Sequence, residues 1–189
     1  MLAEGLMIRR AEPADAAALA AFGARTFTDA FGAGNTPDDL AAYLARAYGE
    51  RQQLTQLADP HIVTLLVESR VPRADPRAAD AFVAFSQVRR ATAPPCVTFP
   101  SPVELWRFYV AREWHGQGVA PALMEATLEA GRELGGASIW LSVWQKNPRA
   151  IAFYAKSGFA VVGSAVFVVG SDHQSDHVMA REIAFSPAV

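Results

Sequence analysis

The residues with the clearest chemical potential lie in the second half of the chain. Trp114-His115-Gly116-Gln117-Gly118-Val119-Ala120 joins a β-like segment, Val103–Ala111, to a helical one. Glycines let a backbone approach a ligand closely. A helix N-terminus adds unpaired N–H groups and a partial positive charge. Together these suit a pyrophosphate. The spacing is neither a G-x-G-x-x-G fingerprint, since Pro121 holds the third glycine position, nor a phosphate loop ending in Gly-Lys-Ser/Thr. Taken alone, the segment fits an ordinary glycine-rich strand–helix turn equally well. Upstream, Glu104 sits among aromatics in Glu-Leu-Trp-Arg-Phe-Tyr. Strict alternation would place Glu104, Trp106, Phe108 and Val110 on one face, if no bulge intervenes. A carboxylate desolvated there would have a raised pKa suited to accepting a proton. The competing reading is a salt bridge to Arg107 or Arg89.

Other reactive types carry less. His173 and His177 with Asp172 and Asp176 match no thiolate zinc spacing, and no metal site is expected. These residues read as a polar hairpin turn whose acids could attract a cationic acceptor. The single cysteine, Cys96, follows Pro94-Pro95 and reads as a small buried apolar group, not a nucleophile. Trp140 and Trp144 share a strand face and read as packing.

The elements that must position these residues follow from periodicity and punctuation. Leu6–Arg10 predicts a first strand. Pro13 and Asp15 open an alanine-rich helix carrying Phe27 and Phe31. Thr36-Pro37-Asp38-Asp39 starts a second helix, and Glu50–Leu57 predicts a third. Ile62–Val67 and Ala81–Val88 predict strands around an exposed loop at Arg70–Asp80. Ala91–Pro102 is proline-rich and reads as a loop. Beyond the glycine turn a helix is predicted up to Gly135-Gly136, then a strand over Ser138–Gln145. Asn147 and Pro148 cap a helix that stops at Gly158. Strands at Phe159–Val169 and His177–Ile183 end the pattern. Strand, helices, three strands, helix, strand, helix and two strands describe an α/β (α+β) fold with one mixed sheet.

The sequence has 189 residues, 51% of them hydrophobic, enough for one core. A single domain over 6–184 is expected. The net charge of −2 argues against nucleic acid or an anionic membrane as a partner held by bulk charge. No apolar run reaches the ~18 residues of a membrane span, and no basic leader precedes an apolar stretch. With one cysteine, a cytoplasmic setting is expected.

Asn147, Ala150, Tyr154, Gly158 and Phe159 fall on the spacing Asn-x-x-Ala-x-x-x-Tyr-x-x-x-Gly-Phe. With the glycine turn before it, the chain resembles the GNAT superfamily of N-acetyltransferases. That family's pattern Gln/Arg-x-x-Gly-x-Gly/Ala falls on His115 to Ala120. Gly118 and Ala120 match, and His115 replaces Gln/Arg. Trp140–Trp144 and the stretch 170–176 look similar to the PaiA-like spermidine/spermine acetyltransferases. The resemblance implies a mostly antiparallel mixed sheet of about seven strands, split by a β-bulge and flanked by helices.

The resemblance also implies a reaction: acetyl passes from acetyl-CoA to a primary amine by direct attack in a ternary complex. The acceptor would be a small molecule, and a polyamine is the narrower reading. Alternatives are a protein N-terminus or lysine as acceptor, or a non-catalytic acyl-CoA-binding module. Tyr154 would be the acid that protonates the departing thiolate, and Glu104 the base, directly or through water. Backbone groups of Phe108 and Val110 would pair with pantetheine. His115, Gly116, Gln117, Gly118, Val119 and Ala120 would hold the pyrophosphate, with Asn147 and Tyr154 also at the cofactor. Phe27, Asp29 and Phe31 would wall the acceptor pocket. Many relatives form homodimers.

Overall fold

The computed structural model describes residues 5–32, 35–69, 82–169 and 172–183. The predicted loop at 70–80 and the boundary at 184 lie outside them. A strand β1 (Leu6–Arg10) leads through a short 3-10 turn, Pro13–Asp15, into α1 (Ala16–Phe31). Helices α2 (Pro37–Ala47) and α3 (Glu50–Ala58) follow. Thr36 caps α2, its Oγ1 accepting the Asp39 N–H at 3.2 Å. Strands β2 (Ile62–Ser69), β3 (Phe82–Arg89) and β4 (Pro102–Val110) precede α4 (Val119–Glu133). Then come β5 (Ser138–Trp144), α5 (Pro148–Lys156), β6 (Ala160–Val169) and β7 (Asp172–Glu182).

All seven strands form one sheet in the order β1-β2-β3-β4-β5-β7-β6. Neighbours are antiparallel except β4 and β5, which run parallel. The expected mixed, mostly antiparallel α/β sheet with flanking helices is what forms. Helix α4 covers one face, burying Leu123, Met124 and Leu128 against Val83, Val103 and Ile139. Helix α1 covers the other, where Leu19, Phe22 and Phe27 meet Leu66 and Phe85. Phe22, Phe27 and Phe85 are almost fully enclosed, each contributing about 1.5–3 kcal/mol by burial.

Two features of the sheet depart from simple alternation. Gln87 pairs with Arg107 but Val88 pairs with Leu105, so Trp106 is an extra residue in β4. Beyond it the strand's parity reverses. Val103 and Leu105 face α4 before the bulge, and Phe108 and Val110 face the same side after it. Glu104, Arg107 and Tyr109 therefore look to the opposite face. The expectation that Glu104 shares a face with Phe108 and Val110 is corrected by this one inserted residue.

The second departure concerns 172–176. A polar turn was expected there, but β7 starts at Asp172, with Ser175 paired to Val166 and Asp176 to Ala165. Cross-strand pairing with β6, joined at Asp176 by β5, outweighs the weak β-propensity of Asp, His and Ser. Of His173 only the backbone pairing, with Val168, is described.

The loop before β4 folds over β6 and β7, with Val97 packed on Trp140, Val178 and Ala180. Cys96 is half-buried there and faces Gly163, where an added Cβ would meet the Cys96 Cβ at 2.6 Å and Sγ at 2.7 Å. Gly163→Ala should lower stability by about 1–3 kcal/mol through overpacking. A urea midpoint would show it, and adding Cys96→Gly should restore most of the loss. An unchanged midpoint in the single variant would refute this packing.

Candidate active site

The parallel pairing of β4 with β5 covers only Pro102–Glu104 against Ser138–Trp140. Past that point the strands separate. The Ala111 N–H donates to the Val83 carbonyl at 2.9 Å, so odd-numbered residues of this stretch turn their polar groups toward β3. The N–H and C=O of Phe108 and Val110 therefore point into the opening between β4 and β5. An extended ligand can pair there as a strand would.

The glycine turn closes one end of this opening. Gly116 and Gly118 have φ of 78° and 79°, a region costly for other residues. Gly118 is the N-cap of α4. An added Cβ on Gly116 would meet nothing within 4 Å, so its α-carbon faces open space. The N–H groups of Gly116–Ala120 donate to none of the described residues. Arg112, Arg149 and Lys146 line the same cavity. Free N–H groups, a helix N-terminus and cations together fit a diphosphate.

His115 is tied into this corner by both ring nitrogens. Its Nε2 lies 2.9 Å from the Val110 carbonyl, and its Nδ1 faces Arg149 Nη1 at 2.5 Å. A carbonyl only accepts and a guanidinium only donates, so Nε2 carries the proton and Nδ1 accepts. The residue standing at the family's Gln/Arg position thus positions an arginine from α5. Sequence reasoning missed Arg149, because a contact between residues 115 and 149 exists only in the fold. The Gln117 side chain donates to the Glu113 carbonyl at 2.7 Å, and Val119 is fully buried in the core. Val119 can therefore offer a ligand only its main-chain groups.

Asn147 is the N-cap of α5; its Oδ1 accepts the Ala150 N–H at 3.1 Å while the residue lines the cavity. Two turns in, the half-buried Tyr154 ring is framed by Phe108, Phe153 and Phe159 at centroid distances of 5.5–6.3 Å. Its hydroxyl hydrogen-bonds to none of the described residues. Desolvation holds the phenol pKa above its ordinary value, so the proton stays on at and above neutral pH.

A cavity of about 1300 Å³ runs from this corner through the separated strands to the opposite face. There it is walled by Phe27, Phe31, Tyr43, Trp106, Trp140 and Trp144. Phe27 is 1% exposed and stacks on Tyr43 at 4.5 Å, which makes it a core residue that also forms a wall. Phe31 meets Trp144 at 6.1 Å. Asp29 is exposed at the rim, 3.9 Å from Arg25.

Glu104 reaches this chamber but is engaged. Arg89 Nε donates to its Oε2 at 2.5 Å, and the Arg89 guanidinium lies over Trp106 at 3.8 Å. The salt-bridge alternative is the arrangement present. Arg107 is buried behind Trp106 and donates to Gln56 at 2.8 Å, Gln87 at 2.7 Å and the Ala47 carbonyl at 3.0 Å. It anchors the bulge with no carboxylate partner among the described residues.

Against known proteins, residues 78–159 match the acetyltransferase (GNAT) family. An uncharacterized N-acetyltransferase of Mycobacterium bovis is 34% identical over 171 residues, spanning 89% of this chain and 98% of the relative. The chain belongs to the GNAT acetyltransferase family. It is an N-acetyltransferase, and acetyl-CoA is the cosubstrate of its family. Among solved structures, the PaiA N-acetyltransferase of Thermoplasma acidophilum, in complex with coenzyme A, is 16% identical. It superposes with a TM-score of 0.73 over 94% of this chain and 98% of its own. A chimera of the spermidine N-acetyltransferase SpeG from Vibrio cholerae and hSSAT is 19% identical. Its TM-score is 0.62, over 95% and 97% of the two chains.

Proposed function

We propose that residues 6–184 act as one unit that acetylates a small primary amine, a cation at neutral pH, by direct attack in a ternary complex. The observation that carries this is the continuous cavity. It has a diphosphate-fitting turn and a free phenol on one side of the split sheet, and an aromatic chamber with carboxylates on the other. Bound acetyl-CoA supplies the activated acyl group. Gly116–Ala120 hold its phosphates through main-chain N–H groups, and Arg149, braced by His115, adds charge. Phe108 through its N–H and C=O, and Val110 through its N–H, align the pantetheine arm, while the Val110 carbonyl is held by His115. Asn147 keeps its amide nitrogen for the cofactor while its oxygen caps α5. Tyr154 donates a proton to the departing sulfur. On the chamber side, aromatic faces favour an alkylammonium. Phe31 and Trp144 wall the entrance, with Asp29 at its rim. A polyamine is the acceptor that the spermidine-acetylating structural neighbours suggest.

The decisive experiment is release of free CoA thiol from acetyl-CoA with spermidine, a monoamine and a short peptide offered separately. Turnover with spermidine or the monoamine is expected. Turnover with the peptide alone would move the acceptor to protein amines. Tight acetyl-CoA binding with no turnover would leave a binding module.

A further inference from the structure

In the chamber, Asp176, unlike Glu104, has no side-chain partner among the described residues. Asp176 is 5% exposed, and its Oδ1 is fully buried without a hydrogen-bond partner among the described residues. It lies on β7 opposite Trp144 of β5 and Ala165 of β6, and it lines the cavity. Along β5, Trp140 and Trp144 alternate with core residues Leu141 and Val143, so they share the face turned away from α4. The pairing puts Asp176 on that same face. Glu104, paired with Trp140 in β4, lies there too. Trp140 Nε1 is a second buried polar atom with no partner among the described residues.

A buried carboxylate with no donor costs stability and persists where something else supplies the donor. The nearby arginines are otherwise occupied. Arg89 holds Glu104, and Arg107 holds Gln56 and Gln87. Lys146, just past β5, is exposed and forms no ion pair with Asp176. His177, the next residue, points to the other side of β7. Desolvation pushes the Asp176 pKa up to about 6, so the group is mostly ionised at neutral pH while remaining a better proton acceptor than an ordinary aspartate.

We propose that Asp176 is the counter-ion and first proton acceptor of the attacking amine, an assignment that rests on the acetyl-transfer reading above. The acceptor enters as R–NH3+ and pairs with the carboxylate in the aromatic chamber. One proton passes to Asp176, leaving a neutral amine with its lone pair. The nitrogen–carbonyl carbon bond forms and the carbon–sulfur bond breaks. The sulfur takes the Tyr154 proton, and the second amine proton returns to the tyrosinate through solvent. Asp176 then releases its proton to water. Products are the N-acetylamine, CoA thiol and one proton.

The test compares wild type, Asp176→Asn, Asp176→Glu and Glu104→Gln. Melting temperature is read in the CoA-loaded protein at pH 8, with and without spermidine or butylamine. Amine should raise the melting temperature of wild type and Glu104→Gln and leave Asp176→Asn unmoved. In turnover, Asp176→Asn should lose at least about 100-fold in kcat/KM for the amine, with acetyl-CoA affinity kept within about threefold. Asp176→Glu should recover part of it, and Glu104→Gln, which frees Arg89 in the same chamber, should lose less than Asp176→Asn. Asp176→Asn is isosteric and removes a buried charge, so it should fold at least as well as wild type. An Asp176→Asn variant that retains the amine-induced shift or wild-type kcat/KM would overturn the assignment. So would amines that move no variant. Failure of the transferase reading looks different: wild type would show an Asp176-dependent amine shift yet release no CoA.

Discussion

Gly118→Glu should weaken acetyl-CoA binding at least about 100-fold while leaving the protein folded. Gly118 is the N-cap of α4 at φ 79°, and it lines the cavity at the turn whose N–H groups are free. A glutamate there places a carboxylate where the diphosphate would sit. It competes for the same N–H donors and repels the phosphates. Losing two charge-assisted hydrogen bonds, each worth about 1.5–3 kcal/mol, accounts for a factor of this size. The left-handed backbone adds about 1–2 kcal/mol of strain, so the melting temperature should fall by a few degrees. Calorimetric titration with acetyl-CoA, beside a melting curve, separates the two effects. An unaltered affinity would contradict the placement of the phosphates.

Tyr154→Phe should lower kcat by about 100- to 1000-fold with acetyl-CoA affinity within about threefold. General acid catalysis is worth about 10²–10⁴ in rate. The ring is held by Phe108, Phe153 and Phe159, and its hydroxyl bonds to none of the described residues. Removing that hydroxyl leaves no buried partner unsatisfied, so the packing should survive. Because burial raises the phenol pKa, the group stays protonated across an ordinary assay range, and the loss should be similar from pH 6 to pH 9. Unchanged turnover would remove the acid role.

The two predictions differ in how much of their basis can be read along the chain. The turn and both family patterns sit in contiguous stretches, Trp114–Ala120 and Asn147–Phe159. Their physical content is local: a left-handed glycine before a helix, an asparagine cap with proline after it, and a glycine stop. Such features depend on neighbours a few residues away, so sequence order exposes them. The direction of the β4 side chains was not legible in the same way. Trp106 is extra only relative to β3, and the insertion reverses every residue after it.

The carboxylates carry the same lesson in energetic form. Glu104 among aromatics reads as a desolvated base, and both Arg89 and Arg107 were open as its partner. Antiparallel pairing places Arg89 directly opposite Glu104, while Arg107 turns to Gln56 and Gln87. Asp176 sat in a segment read as a solvated turn. Pairing with β5 and β6 made it a buried residue of an inner strand.

Elements, caps, glycine turn and family membership were therefore encoded locally, by side-chain type and short-range spacing. Which carboxylate is neutralised, which is left bare, and which arginine meets His115 were decided by strand register and by α5 packing beside the turn. Burial and charge pairing are properties of the spatial neighbourhood, and a chain of 189 residues brings together groups far apart in sequence only once it has folded.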